Sequence, residues 1–175
     1  MDELSLTFGA MKLPPDVSVR HNLSPNDIKA MIALHGELYA GEYGWDKSFQ
    51  EHVAGPLTKF AEAPNSRSKV WIVQQNGALA GSIAIVETSR QSAQLRWLLL
   101  RSELRGKGIG RMLVEDALTF CRDSGYQSVF LWTESRLTAA AKLYHAFNFT
   151  LTEQKTHKLW GVTATEQRYD LTLQV

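Results

Sequence analysis

Gly106, Gly108 and Gly110 alternate with Lys107 and Ile109, Arg105 and Arg111 flank them, and an apolar helical pattern begins at once. Alternating glycines leave backbone N–H groups free and let another molecule come close to the chain. The helix that follows adds a positive partial charge at its N-terminus. With three basic side chains around it, this is an anion site, and a phosphate fits it best. A Walker A loop needs Ser or Thr directly after Gly-Lys, but Lys107 is followed by Gly108. The dinucleotide fingerprint needs a third glycine where Arg111 stands. The pattern present is R-x-x-G-x-G: Arg105, Gly108, Gly110. The simpler use of such glycines is a turn that starts a core helix.

A second group lies at residues 35–46, HGELYAGEYGWD, which brings His35, Tyr39, Glu42, Tyr43 and Trp45 close in sequence. Aromatic rings with one carboxylate suit a cationic or aromatic amine. Filling a helix–sheet core is the competing use for each ring. His21, His35, His52, His145 and His157 show no ligand spacing and HExxH is absent, so no metal site is expected. Cys121 falls on the helical stripe Ile109, Leu113, Ala117, Phe120 and reads as core.

The elements that must position these residues follow from periodicity. VSVRHNL alternates like a short strand. Ser24, Pro25 and Asp27 resemble a capping box ahead of a helix whose face is Ile28, Met31, Ile32, His35, Leu38 and Tyr39. Gly41 and Gly44 are expected to break it. Asp46 caps a second helix carrying Phe49, Val53, Leu57 and Phe60, which Gly55–Pro56 should kink or break. KVWIVQQNGALAGSIAIVE is two strands around an Asn76–Gly77 hairpin turn. AQLRWLLL is a strand, then come the glycine loop and a helix ended by Gly125. SVFLWT is a strand, TAAAKLYHAFNF a helix, and two strands close the chain. The order is β-α-α-β-β-β-α-β-α-β-β, with residues 1–16 read as an N-terminal arm and 17–175 as one domain.

A chain of 175 residues suits one domain with a sizeable core. Apolar residues at 44% and charged residues at 21% mark an ordinary soluble globular protein. A net charge of +1, with no basic stripe, gives no reason to expect nucleic acid as a partner. The acidic, interrupted N-terminus is no signal peptide, and no apolar run is long enough for a membrane span. One cysteine excludes a disulfide framework and points to a reducing compartment, the cytoplasm.

Residues 93–149 resemble the core of the GNAT superfamily of acetyl-CoA-dependent N-acetyltransferases. The resemblance rests on a strand before R-x-x-G-x-G, and on a later helix with A-x-x-L-Y and an aromatic end: Ala140, Leu143, Tyr144, Asn148, Phe149. The same stretch is similar to acetyltransferase domains fused behind MarR-type regulators, whose DNA-binding part is absent here, so DNA binding is not carried over. The resemblance implies an α+β fold, an α/β/α sandwich. Its mixed, mostly antiparallel sheet of about seven strands is splayed in the middle, with four helices. It implies acetyl-CoA as co-substrate, held by Leu98, Leu99 and Leu100 on the splayed strand, by the loop Arg105, Gly106, Lys107, Gly108, Ile109, Gly110 and Arg111, and by Tyr144. Leu137 stands where many relatives have asparagine, and Asn148 where they have glycine; asparagine still tolerates the left-handed helix end.

The implied activity is acetyl transfer to a primary amine of a small-molecule or peptide acceptor. Tyr144 would be the general acid, and Leu99 or Leu100 would offer an N–H to the thioester carbonyl. The strand before the loop offers Gln94 and Arg96 but no carboxylate, so Glu134 is the first candidate for the base, with Glu87 and Glu42 behind it. Tyr39, Glu42, Tyr43, Trp45 and Trp132 are expected to line an acceptor pocket between the first two helices and the last two strands, with Trp160 approaching from the sheet. The alternative is an acyl-CoA-binding or sensing module of the same fold without turnover. A homodimer through the terminal strand YDLTLQV is a further expectation.

Overall fold

The computed structural model describes residues 11–174. The first ten residues of the expected arm lie outside that range. Asp16, at the end of the expected arm, accepts from the Asn76 N–H at 2.9 Å.

The elements run β1 (Val17–Arg20), α1 (Pro25–Tyr43), α2 (Lys47–Glu62), β2 (Lys69–Gln75), β3 (Ala78–Glu87), β4 (Ser92–Leu100), a 3₁₀ turn (Ser102–Leu104), α3 (Ile109–Asp123), β5 (Ser128–Glu134), α4 (Thr138–Ala146), β6 (Thr150–Leu159) and β7 (Val162–Thr172). The seven strands form one sheet in the order β1-β2-β3-β4-β5-β7-β6. Among the described strands only the β4–β5 pairing is parallel. One core cluster joins the sheet to α3 and Tyr144 of α4. The other joins it to α1 and α2 through Met31, Phe49, Val53 and Leu57. The architecture is therefore the expected α/β/α sandwich.

Local chemistry explains most boundaries. The Ser24 side chain accepts from the Asp27 N–H while Asp27 reaches back to the Ser24 N–H, a full capping box with Pro25 in the first turn. The helix passes straight through Gly41, contrary to expectation, and ends at Gly44, whose φ of 71° gives the left-handed cap. Gly41 faces open space and an exposed mid-helix glycine costs only about 1 kcal/mol, too little to stop a helix packed on the core. Likewise α2 is continuous through Gly55–Pro56. Val53 and Leu57, buried on either side of the proline, tie both halves to the same core. The terminal strand β7 lies between β5 and β6, so both its edges are paired and it cannot add to a partner's sheet; the open edge belongs to β6.

The feature that shapes the site is in β4. The β3–β4 register jumps between Ser82↔Leu99 and Ala84↔Arg96, so Trp97 and Leu98 together oppose Ile83. Trp97 has φ 53°, rare for a bulky residue, and it marks a β-bulge. The Ser82 hydroxyl donates to the Trp97 carbonyl at 2.7 Å and satisfies it. Gly81 is required alongside, because a Cβ there would lie 2.5 Å from the Leu99 carbonyl oxygen. On the other side, β4 pairs with β5 only over Ser92–Gln94 and Ser128–Phe130. Beyond those residues the strands splay.

Candidate active site

Two cavities open over the split. One, of about 360 Å³, is lined by Leu98, Leu99 and Leu100 of β4, by the glycine loop and by α4. The other, of about 410 Å³, lies between α1, α2, the splayed ends of β4 and β5, and the β6–β7 hairpin. Tyr39, Leu98, Leu137 and Ala140 line both, so the cavities meet there.

The first cavity has an anion cradle at its mouth. Gly106 and Gly108 have φ of 73° and 81°, and Gly108 caps α3. The first intrahelical bond runs from Met112 N to Gly108 O at 3.1 Å. Among the described residues, no N–H from Gly106 to Arg111 donates to a carbonyl or side chain. That row of free donors at a helix N-terminus fits a pyrophosphate. Arg105 Nε donates to Leu100 O at 3.0 Å, and its Nη1 pairs with Glu42 at 2.7 Å. Of the residues expected to hold the cofactor, Leu98, Leu99, Leu100, Arg105, Gly106, Gly108, Gly110 and Arg111 line this cavity. Lys107 is exposed on the loop and does not line it. The Ile109 side chain is fully buried in the core, leaving only its N–H for a ligand.

The second cavity is walled by aromatic rings. Tyr39 stacks on Trp45 at 4.8 Å and 5°, and Trp45 meets Trp160 at 4.4 Å. The wall holds because the β6–β7 turn grips the α1–α2 loop: the Asp46 N–H donates to Trp160 O at 2.9 Å. Trp160 and Gly161 form that turn with φ of 55° and 78°. Of the expected acceptor residues, Tyr39, Trp45 and Trp132 line this cavity. Glu42 and Tyr43 do not. They line the cofactor-side cavity, because Glu42 turns to Arg105.

Tyr144 and Glu134 both line the second cavity. Tyr144 is buried, and desolvation, with Tyr39 and Tyr169 nearby, pushes its pKa well above 10. It stays protonated at any physiological pH. Glu134 is 3% exposed, and its carboxylate accepts from Arg136 N at 2.7 Å, Arg136 Nε at 3.3 Å and Thr165 N at 3.3 Å. Glu87, the weaker base candidate, pairs with Arg67 at the far end of β3. Leu137 starts α4 without a side-chain cap.

Sequence reasoning grouped His35 and Trp45 with these rings but missed His52, Lys155 and Glu166, which also line the cavity. The His35 Nδ1–H donates to Met31 O at 2.7 Å, which fixes the proton there and leaves Nε2 a bare acceptor. Burial holds the His35 pKa down to about 4, so the ring is neutral. His35 Nε2 and Trp45 Nε1 are both shielded from solvent and have no partner among the described residues. His52 is also held below its usual pKa, first by desolvation and then by Arg96. Glu166 lies opposite Glu134 in the β5–β7 register and binds His157 Nε2 at 2.7 Å. Strand pairing alone brings Glu166 beside Glu134, and no local motif announces it.

A glycine cradle for pyrophosphate, a bulged strand with a free edge and a second cavity meeting the first define an acyl-CoA-dependent acyltransferase. The sequence profile of the acetyltransferase (GNAT) family matches residues 33–149, and the chain belongs to that family. It is an N-acetyltransferase, and acetyl-CoA is its co-substrate. An uncharacterized N-acetyltransferase of Schizosaccharomyces pombe is 27% identical over 161 residues, 90% of each chain. N-acetyltransferase family 8 member 2 of Rattus norvegicus is 32% identical over 93 residues; the match spans 50% of this chain and 41% of that one. A Salmonella typhimurium structure containing acetyl-CoA shares the fold, with a TM-score of 0.71, 17% identity, and coverage of 91% of this chain and 95% of that one.

Proposed function

We propose that the protein acetylates a primary amine of a small-molecule or peptide acceptor in the cytoplasm. Acetyl-CoA enters along the glycine cradle and β4, and the acceptor enters from the aromatic cavity. What carries this reading is the meeting of the two cavities at Tyr39, Leu98, Leu137 and Ala140, beside the splayed end of β4.

Each residue has a distinct task. The free N–H groups from Gly106 to Arg111, with Arg105, hold the pyrophosphate. The β4 edge beyond the bulge aligns the pantetheine arm, and the Leu99 or Leu100 N–H polarises the thioester carbonyl. Glu134, held in place by Arg136 and the Thr165 N–H, receives the proton that the ammonium must lose. The neutral amine nitrogen bonds to the carbonyl carbon, the carbon–sulfur bond breaks, the Tyr144 hydroxyl gives its proton to the departing thiolate, and the second proton shed by the new amide nitrogen restores the Tyr144 phenol while Glu134 releases the first to solvent. The test is thiol release from acetyl-CoA with a panel of amines, scored against a no-amine control. Amine-dependent release is expected. Tight acetyl-CoA binding with no release for any amine would favour a sensing module instead.

A further inference from the structure

Arg96 lines the acceptor cavity half-buried, and among the described residues it has neither an ion-pair nor a hydrogen-bond partner. The other charges there are matched. Lys155 lies 3.9 Å from Glu166, and Glu134 is held by Arg136. Burial alone accounts for the depression of the Arg96 pKa; no carboxylate offsets it. A half-buried guanidinium without an anion is costly unless a ligand supplies one. The bulge puts it there: Trp97, in the left-handed region, joins the α2-side cluster, and its ring lies 4.9 Å from the Arg96 guanidinium carbon.

A second observation points the same way. Among the described residues, the buried Trp45 Nε1–H has no acceptor and the buried His35 Nε2 no donor, and both residues line this cavity. Across the split from Arg96, Trp132 of β5 lines the same cavity. Glu134 lies two residues further on, roughly 6–7 Å along the strand. The cavity therefore offers a positive group and a spare donor to an anion. It offers a carboxylate to an amine nearer the cofactor, and aromatic rings to an apolar body.

We propose that the acceptor is a free amino acid with an apolar side chain, its carboxylate on Arg96 and its amine toward Glu134. This rests on the acetyltransferase reading above. A polyamine or a bare alkylamine would leave Arg96 without a counter-ion.

The experiment compares the L-amino acids with their methyl esters and decarboxylated amines, in the parent and in Arg96→Gln. The parent should favour the acid over its ester by about 10- to 100-fold in kcat/KM, the range of a charge-assisted hydrogen bond. Arg96→Gln should bring that ratio close to one, through a raised KM for the acid. Arg96→Lys should retain part of it. Turnover of esters and amines at least as fast as acids would overturn this proposal and leave the acetyltransferase reading intact. Absence of turnover with every amine would count against that reading instead. The subsite would then be judged by binding of N-acetyl-L-amino acids and their methyl esters to the CoA-loaded protein. Preference for the acid that Arg96→Gln abolishes would support the subsite, and no preference would overturn it.

Discussion

At the scale of single residues, Tyr144 and Glu42 carry the sharpest expectations. Tyr144→Phe keeps the ring that packs on Phe149 and Tyr169 and removes only the hydroxyl. Turnover should fall by roughly 10²- to 10⁴-fold with acetyl-CoA affinity little changed. The raised Tyr144 pKa also makes a pH prediction. With Tyr144 as the proposed acid the phenol is the active form, so activity should rise as the amine deprotonates and show no descending limb below about pH 10. Steady-state kinetics across pH, with chemistry rate-limiting, reads both outcomes; an alkaline fall near neutrality would remove Tyr144 as the acid. Glu42 behaves otherwise than its sequence neighbourhood suggests. Its carboxylate pairs with Arg105 at 2.7 Å, and with Arg105 on the pyrophosphate as proposed it would compete with the incoming ligand. Glu42→Gln should tighten acetyl-CoA binding about two- to fivefold by calorimetry, the worth of a partly exposed pair, and leave the acceptor KM alone. The glycine loop was legible because its chemistry is local: Arg105 through Arg111 are contiguous. The side of the split that Glu42 lines was not legible, because its ion-pair partner Arg105 lies some sixty residues further on.

At the scale of elements, α1 and α3 show how a helix start can carry stability or function. Asp27 is buried, and the Arg20 guanidinium, with the Ser24 groups, holds its pKa down to about 2. Its folded pKa lies below the 3.8 of a free aspartate, so its stabilisation is complete above about pH 4 and is lost as the pH falls through about 2. The shift corresponds to about 2 kcal/mol. Asp27→Asn should cost about that much at pH 7, and denaturant titrations of the two proteins should converge between pH 4 and 2. For α3, acetyl-CoA at about 100 times its dissociation constant should stabilise the protein by about 2.7 kcal/mol. Gly108→Val should abolish that gain, since a side chain there blocks the cradle and resists a φ of 81°. Arg105→Gln, which leaves the turn intact, should reduce it. A full ligand shift in folded Gly108→Val would relocate the pyrophosphate. The capping box and the Asn76–Gly77 turn were readable because each is a local contract between neighbours. Gly41 and Pro56 were not, because packing of Met31, Val53 and Leu57 outweighs a local penalty.

At the scale of the whole molecule, the sheet is two half-sheets joined through a short seam. β1 to β4 lie on one side and β5, β7 and β6 on the other, with pairing only at Ser92–Gln94 and Ser128–Phe130. A ligand lying in the split should slow amide exchange at Leu98–Leu100, in the first turn of α3 and in α4, and leave β1 and β2 almost unchanged. Exchange followed by mass spectrometry with acetyl-CoA checks this; protection confined to the glycine loop would show that the arm does not lie along β4. The strand count and element order were legible from periodicity, but the order β5-β7-β6 was not, because it joins segments with no local signal of partnership. The short seam has one more consequence. Proteases act on the opened population, and that population shrinks when something spans the gap. Molecules made while acetyl-CoA is plentiful should outlast those made in scarcity. The amount of catalyst would then follow the supply of its own fuel, with no separate regulator to read the gauge.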